Sequence, residues 1–304
     1  MSEAFDRRET LALLGLAGFA LAAPAAAQAQ MTTIPTPDVT IRDSSLTLAD
    51  GRVVPLRLYT GAPGQPRPLI MFSHGANSRP DKYDRLCVPL AAAGYSVAAP
   101  LHADSPDHPG GGKIPREDGI PMRLADMRAL LARRGELGPE FGPGPAIAAG
   151  HSYGGWIAQI MAGAFAPPLA PAPADAGIAA ILTYSPPGPF PPGITAESWK
   201  TLSLPMLVQT GTADVLPLMA PEWQVHRMSH DTTPAPSVLF VGDGVDHYFG
   251  NIICRPERTQ PPKTAEFEMA VALSIAFLQR VRTGQGLASL AYPGPSWVEV
   301  RNSG

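Results

Sequence analysis

Charge and cysteine are both scarce in this chain. Only 16% of its 304 residues are charged, 23 basic against 26 acidic, for a formal net charge of −3. That balance provides no basic surface for nucleic acid or for an anionic membrane. Two cysteines, Cys87 and Cys254, permit one disulfide at most. In an oxidising compartment they could pair, and as buried thiols they need not, so the sequence leaves both states open. No internal repeat is visible, and no composition shift marks a domain boundary beyond the N-terminal segment. What is plentiful is apolar side chain, 45% of the residues, which is enough for a substantial core. The 36 prolines are more than twice the usual ~5%, and they predict long, stiff loops between the apolar runs.

The first residues stand apart from the rest. Asp6-Arg7-Arg8-Glu9-Thr10-Leu11 precedes a mildly apolar stretch that closes on Pro24 to Ala29, with small-residue cleavage sites after Ala27 or Ala29. This reads as a secretory signal, and the paired arginines suggest the twin-arginine route, although Thr10 stands where that pattern usually has a large apolar residue. No cysteine follows the cleavage region, which argues against a lipid anchor. The sequence therefore predicts an export signal over residues 1–29, one domain over residues 30–304, and a periplasmic or secreted product with no stable membrane anchor.

Strand and helix patterns alternate along the mature part. Val39 to Leu48 and Val53 to Tyr59 alternate about Ala49-Asp50-Gly51 and predict an antiparallel edge hairpin. Buried strands are expected at Pro68–Phe72, Tyr95–Ala99, Pro145–Ala149, Ile178–Thr183, Met206–Gln209 and Ser237–Val241. Helices are expected from about Pro80 to Ala93, from Pro121 to Leu131, after Gly155, and from Thr264 to Arg282. In the last of these, Phe267, Val271, Ile275 and Leu278 share one face. The result is an α/β protein with a mostly parallel, eight-stranded sheet and helices on both faces.

The chemistry starts at Gly150-His-Ser-Tyr-Gly-Gly155. A strand, Gly-x-Ser-x-Gly and a helix together make a turn so tight that Cβ atoms two residues either side of the serine would collide. Such a turn lifts Oγ of Ser152 clear of the sheet, at a helix N-terminus that favours developing negative charge. A serine hydroxyl needs a base, and the base needs an orienting carboxylate. Of the seven histidines (74, 102, 108, 151, 226, 230 and 247), only His247 follows the last predicted strand at a glycine-rich turn. Asp214 follows the preceding strand. Asp243 and Asp246 lie too near His247 in sequence to orient it easily. The oxyanion hole is expected from the backbone N–H of Tyr153 and that of Ala76, in the turn after Phe72, with His74 bracing that turn. His102, Asp104, Asp107 and His108 cluster in one loop, but their spacing fits no closed zinc pattern. No metal and no cofactor are predicted.

Phe72-Ser-His-Gly75, Gly94-Tyr95, Arg123-Leu-Ala-Asp126, the serine turn, Gly211-Thr-Ala-Asp214 and Asp246-His247 together resemble the serine esterases of the α/β-hydrolase superfamily. The likeness runs from about Leu69 to Leu278 and is greatest to the dienelactone-hydrolase-like bacterial branch near the platelet-activating-factor acetylhydrolases. True dienelactone hydrolases use cysteine where this chain has Ser152. The resemblance implies a catalytic Ser152, Asp214 and His247 and the hydrolysis of carboxylic esters through an acyl-enzyme. Large lids in that superfamily usually enter after the sixth strand. Ser185 to Leu204 is too short for one, so no large cap domain is expected. The crevice should be open, rimmed by Phe190, Trp199, Trp156 and Tyr153, and suited to small-molecule, lipid or polymeric esters. An amidase, peptidase or acyltransferase would use the same three residues, and an inactive ligand-binding homologue is the alternative from outside the enzymes.

Overall fold

Among the described residues, nine strands, numbered β1 to β9 along the chain, join in one sheet in the order β1-β2-β4-β3-β5-β6-β7-β8-β9. The structure, a computed structural model, describes residues 39–302 except 111–113, 167–168, 170–171, 191–192, 218, 256–260 and 288–294. The expected export signal lies outside the described residues. β1 (Thr40–Thr47) and β2 (Val53–Thr60) form the antiparallel edge hairpin, and β2 pairs antiparallel with β4 (Ser96–Pro100). β3 (Arg67–Ser73), β4, β5 (Phe141–His151), β6 (Ile178–Tyr184), β7 (Met206–Ala213) and β8 (Ser237–Asp246) run parallel.

Alternate residues of the same strands feed two cores. Ile70 and Phe72 of β3 pack on one face with α1 (Asp84–Ala92) and α5 (Thr264–Thr283). Leu69 and Met71 pack on the other with α2 (Arg116–Arg133) and α3 (Tyr153–Met161). Burial on both faces explains why these strands read as apolar runs rather than as alternating patterns. α4 (Met228–Thr232) is a short turn of helix in the connection between β7 and β8. Among the described residues, no helix is long and apolar enough to cross a membrane.

Two expectations change in detail, and one open alternative, the state of the cysteines, is decided. Among the described residues the sheet has nine strands rather than eight, because β9 (Trp297–Arg301) adds antiparallel to β8 and becomes that edge. α2 starts five residues before Pro121 and runs through it, giving up the one backbone hydrogen bond that a proline cannot donate. Cys87 and Cys254 are both free and buried. Between β6 and β7 the described chain forms a 3-10 helix, Ala196–Thr201, and no separate cap.

Candidate active site

The turn at Ser152 is as strained as its sequence implies. Ser152 has φ 51° and ψ −122°, a conformation that costs a non-glycine residue of order 1–3 kcal/mol and persists where the surroundings enforce it. The surroundings are two glycines. A Cβ on Gly150 would stand 2.2 Å from the carbonyl oxygen of Gly154, and one on Gly154 would stand 1.9 Å from that of Ser73. The Ser152 N–H is fixed by the Tyr184 carbonyl at 2.9 Å. Tyr153 opens α3, where the N–H groups of a first helical turn point out of the helix toward the space before the serine.

The ends of β7 and β8 bring the other two residues to Ser152. His247 Nε2 lies 2.9 Å from Ser152 Oγ, and His247 Nδ1 lies 2.8 Å from Asp214 Oδ1. Thr210 Oγ1 donates to the other carboxylate oxygen, Oδ2, at 2.7 Å. Asp214 and His247 are buried and Ser152 is half-buried. Burial pushes Asp214 upward, but the imidazoles of His247 and His226 outweigh it and hold the carboxyl well below its usual range. Burial lowers His247 against the pull of Asp214, so the ring is a neutral base at neutral pH. Asp246 accepts the N–H groups of Tyr248 and Gly250 at 3.0 and 2.8 Å and shapes the His247 loop. Asp243, an exposed residue, is tied to Ser296 through its own backbone N–H.

A second imidazole stands on Asp214 that the sequence did not single out. His226, in the 3-10 helix Trp223–Arg227 between β7 and β8, is buried, with Nε2 3.0 Å from Asp214 Oδ1. The contact has ion-pair distance without the alignment of a regular N–H···O bond. Burial lowers His226, but Asp214 and the Pro186 carbonyl outweigh it and raise the ring above its ordinary value. No local pattern in the sequence marks this residue.

A buried network holds the turn after β3. His74 donates from Nδ1 to the Gly75 carbonyl at 2.8 Å and accepts the His102 N–H at Nε2, 3.1 Å away. Arg123 donates to the His74 carbonyl and, through Nε, to both carboxylate oxygens of Asp104. Its guanidinium also lies 4.5 Å over the Tyr153 ring. Ala76 is exposed at the tip of the turn, followed by Asn77 at φ 53°. Beneath it, Ser73 Oγ meets His102 Nε2 at 2.9 Å and His102 Nδ1 meets Asp126 at 2.8 Å. This second Ser-His-Asp line is closed to substrate, since all three residues are 1% exposed or less. Burial pushes Asp126 up to about 6 despite its ion pair with Arg52.

The loop from His102 to His108 does not gather its side chains. His102 is bound to Asp126 and Asp104 to Arg123, Asp107 lies 3.9 Å from Arg79, and His108 accepts the Gly110 N–H at 2.9 Å. Among the described residues, imidazole and carboxylate donor atoms crowd together in two groups, Asp214-His226-His247 and His230-Asp231-Glu299. In the first, separations of 2.8 and 3.0 Å on one shared oxygen are contact distances, leaving no gap for an ion between the donors.

The expected aromatic rim divides. Phe190 is half-buried, with its ring 6.1 Å from that of Trp156, and Trp156 also meets Tyr153 edge-on at 6.0 Å. Trp156 is mostly buried and donates to the Pro187 carbonyl. Trp199 is a correction. It is fully buried, bonded through Nε1 to Gln159 of α3, and belongs to the core rather than to any rim.

A sequence model of the alpha/beta hydrolase family matches residues 70–293. The chain belongs to that family. No curated protein matches it. Solved structures share the fold at low identity. A cold-adapted esterase from an Arctic intertidal metagenomic library is 18% identical with a TM-score of 0.53, over 71% of this chain and 90% of the other. A Klebsiella pneumoniae protein described as a dienelactone hydrolase is 15% identical with a TM-score of 0.56, over 79% and 99%. A puromycin-hydrolyzing peptidase of Mycobacterium tuberculosis is 14% identical with a TM-score of 0.55, over 79% of this chain and 39% of its own. At such identities the likeness concerns the fold alone, and membership of the family rests on the sequence model.

Proposed function

We propose that the protein is a serine hydrolase of carboxylic esters. The observation that carries the reading is the unbroken line from Ser152 Oγ through His247 to Asp214, with the serine on a strained turn at a helix N-terminus. His247 Nε2 takes the proton of Ser152 Oγ as the oxygen attacks the ester carbonyl, and Asp214 holds Nδ1–H and offsets the imidazolium charge. The N–H groups of Ala76 and Tyr153 receive the oxyanion; losing one such donor costs roughly 3 kcal/mol of transition-state stabilisation. The imidazolium then protonates the leaving alcohol. Water, deprotonated by the same ring, releases the acid from the acyl-enzyme. The substrate is an ester that enters beside Tyr153, Trp156 and Phe190. The arginine pair and the small-residue cleavage sites support export to the periplasm or beyond.

The test compares matched p-nitrophenyl esters and p-nitroanilides on the mature chain and on Ser152→Ala. Ester turnover that falls at least 1,000-fold in the variant, with a weaker anilide reaction, is the expected result. Equal ester turnover in the variant contradicts the role of Ser152, and anilide preference makes the protein an amidase.

A further inference from the structure

His226 Nδ1 lies 2.9 Å from the Pro186 carbonyl oxygen, so it carries a proton and donates there. In a neutral ring Nε2 would then carry no proton, and this electron-rich nitrogen would lie 3.0 Å from a carboxylate oxygen of Asp214. The other neutral tautomer moves the same clash to the carbonyl. Only the doubly protonated ring relieves both contacts.

We infer that His226 is a permanent imidazolium in the working enzyme, a positioning residue that shares Asp214 with His247 and keeps the base unprotonated at mildly acidic pH. The inference rests on the role proposed above for His247. Its ring centre is 5.4 Å from that of His226, close enough for like charges to matter in a buried site. Protonating His247 places a second cation on the one carboxylate. That penalty falls on the free enzyme, and it moves the acid limb of catalysis downward.

The other groups facing the pair are few. His151, at the end of β5, lies with its ring 5.0 Å from that of His247, and burial lowers it to about 4, so it stays neutral. Asp246 adjoins His247 and is bound to its own loop. Arg227 adjoins His226 but is paired with Asp231 and Glu299. His230 Nε2 and Glu299 lie 4.0 Å apart. The Tyr248 ring meets His247 edge-on.

Two measurements test this. The first is the pH dependence of kcat/KM for a p-nitrophenyl ester in wild type and in His226→Gln. Removing the cation should move the acid limb up by about one pH unit or more, with the alkaline plateau much less affected; an unmoved limb in a folded variant overturns the inference. The second is a 15N NMR titration of the histidine rings in the wild-type protein. His226 should show imidazolium shifts from pH 5 to 8 while His247 is neutral over most of that range; a neutral His226 at pH 7 overturns it. The titration needs no turnover, so a failed ester assignment and a failed charge assignment are distinguishable.

Discussion

Gly154 touches the carbonyl of Ser73 so closely that a Cβ there would stand 1.9 Å from the oxygen. That contact locks the start of the helix behind Ser152 to the end of β3, and so to the turn that carries Ala76. The two expected oxyanion donors, on elements far apart in sequence, are held in register by one missing methyl group. Gly154→Ala should therefore force the helix and the turn apart. Overpacking of this kind destabilises by about 1–3 kcal/mol, and a displacement near 1 Å in a preorganised site costs about 100-fold in rate. A thermal melt with ester kinetics checks it, and unchanged kcat means that the turn and the helix are not coupled.

The hydroxyl of Tyr83 is a second tie. It accepts the Gly75 N–H at 2.9 Å and donates to His151 Nδ1 at 2.9 Å, while His151 Nε2 donates to the backbone carbonyl of His247 at 2.7 Å. Tyr83→Phe leaves a buried donor and a buried acceptor unmatched, at about 1–3 kcal/mol. We expect a lower Tm and roughly a tenfold loss in kcat with KM little changed, because the change touches the scaffold of the reacting groups. A loss confined to KM would place Tyr83 in substrate binding instead.

Acid should weaken the fold from just below neutrality. His151 is held at about 4 by burial, against an ordinary value of 6.5, and burial lowers His74 and His102 as well. The unfolded chain takes up protons on these rings below pH 6.5 and the folded chain does not. Their stabilisation is therefore complete above that pH and is lost as pH falls toward 4, with His151 alone contributing about 3 kcal/mol. His226, raised rather than lowered, and Asp126, raised to about 6, contribute in the opposite sense, two groups against five lowered rings once His230 and His247 are included. A Tm that declines steadily from pH 7 to pH 4 is expected; a flat profile contradicts the buried neutral rings.

The main line of the site was legible because a parallel sheet delivers its chemistry at strand ends. Ser152, Asp214 and His247 each follow a strand that reads as an apolar run, and the glycines flanking the serine have steric reasons visible in the local pattern. The edge of the sheet was harder to read. Val298 and Val300 alternate with Glu299 and Arg301 in β9, but the strand is short and lies beyond the last helix. His226 was not legible at all, since its meeting with Asp214 depends on how the connection between β7 and β8 folds back. Trp199 shows the opposite failure. An aromatic residue in a proline-rich loop suggested a rim, and the ring instead turned inward onto Gln159.

Reaction with a fluorophosphonate probe tests the central claim most directly, because it reports an activated serine without assuming a substrate. Wild-type protein should take up one probe, located at Ser152 by mass spectrometry of the digest. His247→Ala, folded by circular dichroism, should react slower by several orders of magnitude. Labelling elsewhere, or a folded wild-type protein that takes up no probe, would contradict the assignment of Ser152 as the nucleophile.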